Sequence, residues 1–445
     1  MINNVKNKYG TLPLTATIHA LSHDGRGIAT IDQKTTFISG ALPDETVSYR
    51  INQKRSTFNE AVALEILQPS PDRSTPPCKH FGVCGGCSLQ HMNNALQIKL
   101  KEDTLLDQLK HFGKVVPHTI LKPLHAESLG YRRKARLGVK FVIKKDKLLV
   151  GFREKSSNYL ADLEECLVLH PRVGKHLTDL GELIRSLDLY QHIPQIEVAI
   201  GDKEVALVFR HLEEISDSDI LKLKLFGEKF QYHLYLQPNS PAPVHKIWPE
   251  DSLDRLTYTL PDEGLEFLFH PLDFTQINLD MNRMMVKQAL SLLELNNEDT
   301  VLDLFSGIGN FTLPMARYAK HVTGIEGGEE MVQRAFDNAK HNQIQNVDFY
   351  AANLQNPNTH APWLAGKRYS KILIDPPRVG AKEILPHLNQ LGAQRIVYVS
   401  CNPATLARDA GELVHQYGYE LTKAGIMNMF PHTFHIEAMA VFDKK

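Results

Sequence analysis

No stretch of this sequence approaches eighteen consecutive apolar residues, so it offers no candidate for a membrane-spanning helix. The opening residues, MINNVKNKYG, lack the apolar core of a secretory leader, and a cytoplasmic location is the expectation. An excess of charge of one sign is also missing: 50 Lys and Arg stand against 51 Asp and Glu, a formal net charge of −1. That balance excludes a chain that is basic all over, while leaving room for local basic patches. Cysteines are few and odd in number: Cys78, Cys84, Cys87, Cys166 and Cys401. In a large chain of cytosolic character they do not predict a disulfide framework, and any cluster among them reads as metal ligation or catalysis. No internal repeat of about 20–50 residues is visible.

What is present predicts several domains, since 445 residues exceed what one core supports. Residues 11–69 hold five short runs rich in Thr, Val and Ile, separated by turn-like HDGRG, ALPDE and NQKRSTFN. They predict a small β-barrel of the OB kind over 1–70, a fold that serves either as an RNA platform or as plain structure. The segment QPSPDRSTPP reads as a linker, and 94–114 spaces its apolar residues as an amphipathic helix expected to pack on the C-terminal domain. Residues 71–270 otherwise read as an irregular α+β domain. From 271 to 445 strands and helices alternate, which predicts a parallel α/β sheet of Rossmann-like form.

Within that last region, VLDLFSGIGNFTL is strand, glycine-rich turn and helix, and Glu326 ends the next strand, HVTGIE. A carboxylate there can accept from both ribose hydroxyls of a nucleoside. The third glycine of a dinucleotide loop is lacking, since position 312 is Thr, and S-adenosylmethionine has no pyrophosphate to cradle. Asn353 and Asp375 follow the third and fourth strands, and Cys401 follows the fifth. Ligands bind outside the carboxyl ends of such strands, so these residues should line one edge. A cysteine at a strand end is often only packing. Beside a methyl donor it is a nucleophile able to attack carbon 6 of a uracil and make carbon 5 reactive. A base must then remove the carbon-5 proton. By residue type Glu437 is a candidate, with His432 and His435 as rivals. The DPPR stretch, 375–378, raises a different reading, an exocyclic-amine methyltransferase, although Arg378 stands where those enzymes carry an aromatic residue.

The cysteines of CKHFGVCGGC form a C-x5-C-x2-C triplet, with Cys166 far downstream. Four thiolates suit a zinc ion or a [4Fe–4S] cube, and a triplet plus one remote ligand favours the cube. Residues 131–147 carry eight Lys and Arg against one acid. Arg132, Arg133, Lys134 and Arg136 are therefore candidate RNA contacts, against the alternative of a solvated strand face.

Together SCNP, DPPR, LDLFSGIGNFTLP and FPHTFHIE closely resemble the RNA 5-methyluridine methyltransferases. That resemblance implies Cys401 as nucleophile and Glu437 as base. It implies cofactor contacts to S-adenosyl-L-methionine from Gln276, Phe305, Asn310, Glu326, Asn353 and Asp375, with Phe274 as a stacking surface for the target base. It also implies a [4Fe–4S] cluster on Cys78, Cys84, Cys87 and Cys166, a TRAM-type barrel, and 23S ribosomal RNA as substrate. Transfer RNA or another ribosomal uridine is the alternative. A monomer without an obligate protein partner is expected. A non-catalytic RNA-binding assembly factor is the rival from another class, distinguished by an absence of methyl transfer.

Overall fold

The computed structural model describes residues 14–239 and 243–445. The start of the expected 1–70 module thus lies outside the described residues. By contact the chain forms two compact units. One comprises residues up to Phe81, Cys87–Asp103 and His432–Phe434; the other comprises Gly82–Gly86, Thr104–Pro431 and His435–Lys445.

The smaller unit is built on β1 (Leu14–Thr17), β2 (Ala20–Leu21), β3 (Gly27–Ile31), β4 (Lys34–Ser39), β5 (Thr46–Lys54) and β6 (Phe58–Gln68). The sheet order is β1-β5-β6-β4-β3-β2, antiparallel except for the parallel β4–β6 pair. Only two residues separate β1 from β2, so the ladder returns to the stretch on which it began. The inward positions, among them Ile18, Ile38, Val47 and Tyr49, make its small core. Helix α1 (Asn94–Gln108) is capped by the Asn93 side chain, which accepts from the Leu96 amide at 2.8 Å. Its Leu96 and Leu100 join Leu42, Leu89 and Met92 in a second cluster.

In the larger unit, a six-stranded sheet runs in the order β13-β12-β11-β10-β8-β9. Its strands are β8 (Lys134–Val142), β9 (Lys147–Gly151), β10 (Gln195–Ile200), β11 (Val205–His211), β12 (His233–Pro238) and β13 (His245–Trp248). The short α2 (Pro171–Gly174), α3 (Leu177–Ser186) and α4 (Asp217–Phe230) belong to this region. A hairpin follows, β14 (Leu256–Leu260) and β15 (Leu265–Phe269).

The C-terminal part of this unit contains α5 (Leu279–Leu293), β16 (Thr300–Leu304), α6 (Thr312–Ala316), β17 (His321–Glu326), α7 (Glu329–His341) and β18 (Val347–Ala351). It continues through β19 (Lys371–Ile374), α8 (Leu385–Leu391), β20 (Arg395–Ser400), α9 (Pro403–His415), β21 (Tyr419–Met427) and β22 (Glu437–Lys444). The sheet order is β18-β17-β16-β19-β20-β22-β21-β7, with β7 (Thr119–Ile120) at the edge. Strands β16 to β20 are parallel and β22 runs against them. Near-continuous burial of TVLDL, KILI and RIVYVS explains their uninterrupted apolar character. The free edge of β15 is satisfied by asparagines at the end of α7: the Glu266 and Leu268 amides donate to the C-cap Asn342 and to Asn338 at 2.9 and 2.8 Å.

The C-terminal sheet also recruits residues from well before 271. Thr119 and Ile120 pair with Lys423 and Ala424 of β21. Just upstream, Gly113 lies so close to α9 that a Cβ would stand 2.4 Å from the Ala407 carbonyl oxygen. Only glycine admits that approach.

Candidate active site

Order reverses across this sheet at β16, which has β17 on one side and β19 on the other. Such a switch point opens a crevice at the carboxyl ends of the strands. The loop after β16 enters it with three left-handed residues in five: Phe305 at φ 68°, Gly307 at 56° and Gly309 at 93°. A phenylalanine is strained there and persists because its surroundings hold it. Its amide and that of Ser306 donate to the Ile325 carbonyl at 2.9 and 3.0 Å. The Gly307 amide donates to Glu326 at 3.0 Å, and Glu326 also accepts from Gly327 at 2.7 Å. Open space lies where a Gly307 side chain would be. The Glu326 carboxylate, which also accepts from the Gly328 amide at 3.3 Å, thus ties two loops together.

Asn310 is paired head to tail with Asn282 of α5, with both amide bonds at 2.9 Å, and also accepts from the Tyr258 hydroxyl at 2.9 Å. Asn282 and Tyr258 in turn line a cavity of about 10 Å³ with Gln276, Thr275 and Arg133. Gln276 and Asn310 are brought together in this way, through partners the sequence does not single out. Asn353 caps its own turn, its side-chain oxygen accepting from the Gln355 amide at 2.9 Å.

The nucleophile candidate follows β20. The β20–β22 ladder ends on Ser400 opposite Ala438, and Cys401 and Glu437 are the residues that flank this last pair. Glu437 itself is buried at the start of β22, opposite Met427. Burial first, then the carboxylates of Glu437 and Asp375, push the Cys401 thiol up to about 11, while Arg378 pulls it down. Burial likewise pushes the Asp375 carboxyl up to about 7. The turn after Cys401 is well braced. Asn402 caps α9, accepting from Ala404 at 3.1 Å, and donates to the Arg378 carbonyl at 3.0 Å. The Arg378 guanidinium lies 3.1 Å from Nδ1 of His435, which must therefore be the unprotonated nitrogen.

Two buried carboxyls were not anticipated. Asp303, inside β16, accepts from the Thr312 hydroxyl at 2.5 Å and is pushed up to about 8 by burial, with Asp375 and Glu326 adding to the effect. An acid inside an apolar run was its only signal. Asp409 accepts from the Ala381 amide at 2.8 Å and the Tyr398 hydroxyl at 2.7 Å, so α9 holds the loop that follows DPPR. His432 lies in the smaller unit, where burial pushes its imidazole down to about 4.

The basic run does more internal work than a surface patch. Lys134 is largely buried, with Nζ donating to the Pro271 and Asp273 carbonyls at 2.7 and 2.5 Å, and burial lowers it to about 8. It braces the turn that presents Phe274, which is 71% exposed. Arg133 donates to the Gly201 carbonyl, and Arg132 to that of Lys134 at 2.9 Å. Arg136 is exposed and paired with Glu197 at 2.6 Å. Lys134, Arg136, Arg210 and Phe274 line a groove of about 480 Å³.

Cys78, Cys84, Cys87 and Cys166 are all partly buried, and none is disulfide-bonded. Cys84 and Cys166 pack on the same apolar cluster, and the Gly86 amide points at the Cys84 sulfur at 3.4 Å. Among the described residues no three His, Cys, Asp or Glu side chains form a ready metal-binding group, so the expected centre rests on sequence spacing.

Comparison with known proteins places this geometry. The family model for tRNA (uracil-5-)-methyltransferase matches residues 93–445. The chain is 50% identical over 436 residues to the 23S rRNA (uracil(1939)-C(5))-methyltransferase RlmD of Hahella chejuensis, covering 97% of each. It is 52% identical over 434 residues to the protein of the same name from Nitrosococcus oceani, covering 97% of this chain and 96% of the relative. Among solved structures, Pyrococcus abyssi tRNA (uracil-54, C5)-methyltransferase in complex with S-adenosyl-L-homocysteine superposes with a TM-score of 0.74 at 22% identity, covering 96% of this chain and 100% of that one. The likeness of fold is thus end to end, and by model match and full-length identity the chain belongs to the uracil-5-methyltransferase family.

Proposed function

We propose that this enzyme methylates carbon 5 of one uridine in 23S ribosomal RNA through a covalent bond between Cys401 and the ring. The observation that supports the mechanism is that Cys401 and Glu437 flank the last pair of the β20–β22 ladder, Ser400 with Ala438, near enough for the Glu437 carboxylate to raise the thiol. In this reading the two are nucleophile and base at the end of the cofactor crevice. The shared name of the relatives points to the uridine equivalent to 1939.

The Cys401 thiol loses its proton to water and the thiolate adds to carbon 6. The new carbon–sulfur bond sends the ring electrons onto the carbon-4 oxygen as an enolate, which makes carbon 5 nucleophilic. S-adenosylmethionine, when bound, supplies a methyl group on a cationic sulfur. Glu437 then accepts the carbon-5 proton, and the freed pair re-forms the carbon 5–carbon 6 double bond and expels the Cys401 sulfur. The histidine rivals are less suited: Nδ1 of His432 is engaged by Gln97, and the Nδ1 lone pair of His435 already accepts from Arg378. Glu326, Asn353, Phe305, Asn310, Gln276 and Asp375 hold the donor in this reading; the open space beside Gly307 and the one lone pair that Glu326 keeps support it.

Incubating the protein with labelled S-adenosylmethionine and rRNA containing 5-fluorouridine should give a denaturation-resistant protein–RNA adduct, because fluorine at carbon 5 cannot leave as a proton does. No adduct with a substrate that is methylated when it carries plain uridine would sink the mechanism.

Phe274 is assigned to the RNA, stacking on a base beside the groove of Lys134 and Arg136. Base–aromatic stacking contributes about 1–3 kcal/mol, so Phe274→Ala should raise the KM for RNA roughly 5- to 150-fold with the KM for the methyl donor unchanged. The six-strand module around Ile18 and Tyr49 is read as a TRAM/OB-type barrel that adds RNA affinity; its returning ladder supports this.

Cys78, Cys84, Cys87 and Cys166 are assigned a closed [4Fe–4S] cluster, which would act as a covalent tie between distant segments. Their partial burial and the Gly86 amide on the Cys84 sulfur suit anionic sulfur. Anaerobically prepared protein should be brown, with about four irons and four acid-labile sulfides per chain. A colourless protein with one zinc would refute the assignment.

A further inference from the structure

Nine residues of loop join β21 to β22, and Glu437 is delivered at its far end. The loop is fastened along much of its length. The Asn428 amide donates to the Leu124 carbonyl at 2.8 Å, Asn278 donates to the Met429 carbonyl at 3.4 Å, and the Tyr131 hydroxyl donates to the Pro431 carbonyl at 3.1 Å. The next three residues, His432–Phe434, belong by contact to the smaller unit.

His432 is held there in an unusual way. Its backbone is left-handed, at φ 64°, a conformation disfavoured for a residue with a β-carbon. Its amide donates to Oε1 of Gln97 at 2.9 Å, and its Nδ1 lies 3.3 Å from Nε2 of the same side chain. The glutamine amide can only donate from nitrogen, so the imidazole is neutral at Nδ1. The His432 carbonyl accepts from the Ser88 and Leu89 amides at 2.8 and 3.0 Å. Gln97 is itself wholly buried, and its Nε2 also donates to the Leu89 and Met92 carbonyls at 3.2 and 2.9 Å. One side chain thus binds the first turn of α1, the segment directly after Cys87, and the residue five positions before the base.

We propose that Gln97 is a positioning residue for the reaction, holding His432 in its left-handed conformation so that the chain enters β22 with Glu437 set for proton removal. The inference rests on the function proposed above. It makes the segment after the cysteine triplet and the base-carrying loop one mechanical unit. Gln97 touches no reacting atom; it acts through four residues of backbone.

The test uses the full chain carrying Gln97→Met, which keeps the length of the side chain and removes its hydrogen bonds. With 5-fluorouridine RNA the variant should form the adduct at the wild-type rate, because Cys401 and the cofactor loop are untouched. With ordinary uridine RNA, kcat should fall about 10- to 100-fold, the size expected for a small misplacement of a catalytic group, while the adduct accumulates during turnover. Amide exchange at His432 should quicken in parallel. His432→Gly, which tolerates the left-handed backbone and keeps the peptide bonds, should turn over faster than Gln97→Met. Unchanged kcat in folded Gln97→Met overturns the proposal. So does a parallel fall in adduct formation and turnover that follows thermal stability, since that marks a purely structural residue. If the wild type forms no adduct, the underlying mechanism has failed first, and that result is read on a different protein.

Discussion

Cys401→Ala loses methyl transfer to RNA by roughly a million-fold, the size seen when a covalent nucleophile is removed, and forms no adduct with 5-fluorouridine RNA. Binding of S-adenosylmethionine is retained, because the donor loop at Phe305–Asn310 is braced by Ile325, Glu326 and Asn282 and owes nothing to the thiol. The variant should fold, since Cys401 is only partly buried and the turn after it is held by Asn402 and Ser400. Its electrostatics add a pH signature. A thiol pushed up to about 11 is protonated at rest, so alkylation of Cys401 by iodoacetamide in the free enzyme should rise about tenfold per pH unit from 7 to 10. A plateau below pH 8 would show that the carboxylates do not govern the nucleophile. Residual activity of Cys401→Ala near wild type would instead favour the exocyclic-amine reading of DPPR, in which no thiolate is needed.

The resting site is poorly disposed to ionise its own nucleophile, and this has a chemical use. A partly buried thiol beside two carboxylates resists stray alkylation and oxidation, since the thiolate is the reactive form. The bound uracil changes that balance by offering an electrophilic carbon to the sulfur and an oxygen to carry the charge.

The sequence exposed this site unevenly, for physical reasons. Parallel strands buried on both faces read as apolar runs, so TVLDL, HVTGIE and RIVYVS are recognisable, and whatever follows them must line one edge. That rule puts Cys401, Asp375, Asn353 and Glu326 on one edge from sequence alone. Glu437 was reached only as one carboxylate among histidines, because an antiparallel partner is set by register, which no local pattern announces. The central sheet escaped notice: it mixes antiparallel pairs with one parallel pair, and its β10 and β11 are buried too evenly to alternate. Strand β7 has two residues, both exposed, and no periodicity can reveal it. Gln97 and His432 stand 335 residues apart, and a buried glutamine on a helix looks like any other. The charge count of 131–147 suggested a surface, yet Lys134 is turned inward onto carbonyls, a use of lysine that composition cannot distinguish from a phosphate contact.

Glu437→Gln separates the two halves of the reaction. The amide is nearly isosteric with the carboxylate, and the β20–β22 ladder that aligns it is made by backbone. The variant should therefore fold, bind RNA and donor, and carry the first half through: Cys401 adds to carbon 6 and carbon 5 becomes methylated. An amide cannot accept the carbon-5 proton, so the double bond cannot re-form and the sulfur cannot leave. Turnover should fall by about 100- to 10,000-fold, the contribution of a general base, while a methylated, denaturation-resistant protein–RNA adduct builds up on ordinary uridine. Loss of the negative charge that raises the thiol also predicts easier ionisation of Cys401, so its alkylation profile should move to lower pH than in the wild type. The two readouts move in opposite directions, with the nucleophile more reactive and the cycle arrested. A variant that turns over normally would remove Glu437 from the mechanism. One that neither turns over nor accumulates adduct would place it before the methyl transfer, as the group that takes the thiol proton.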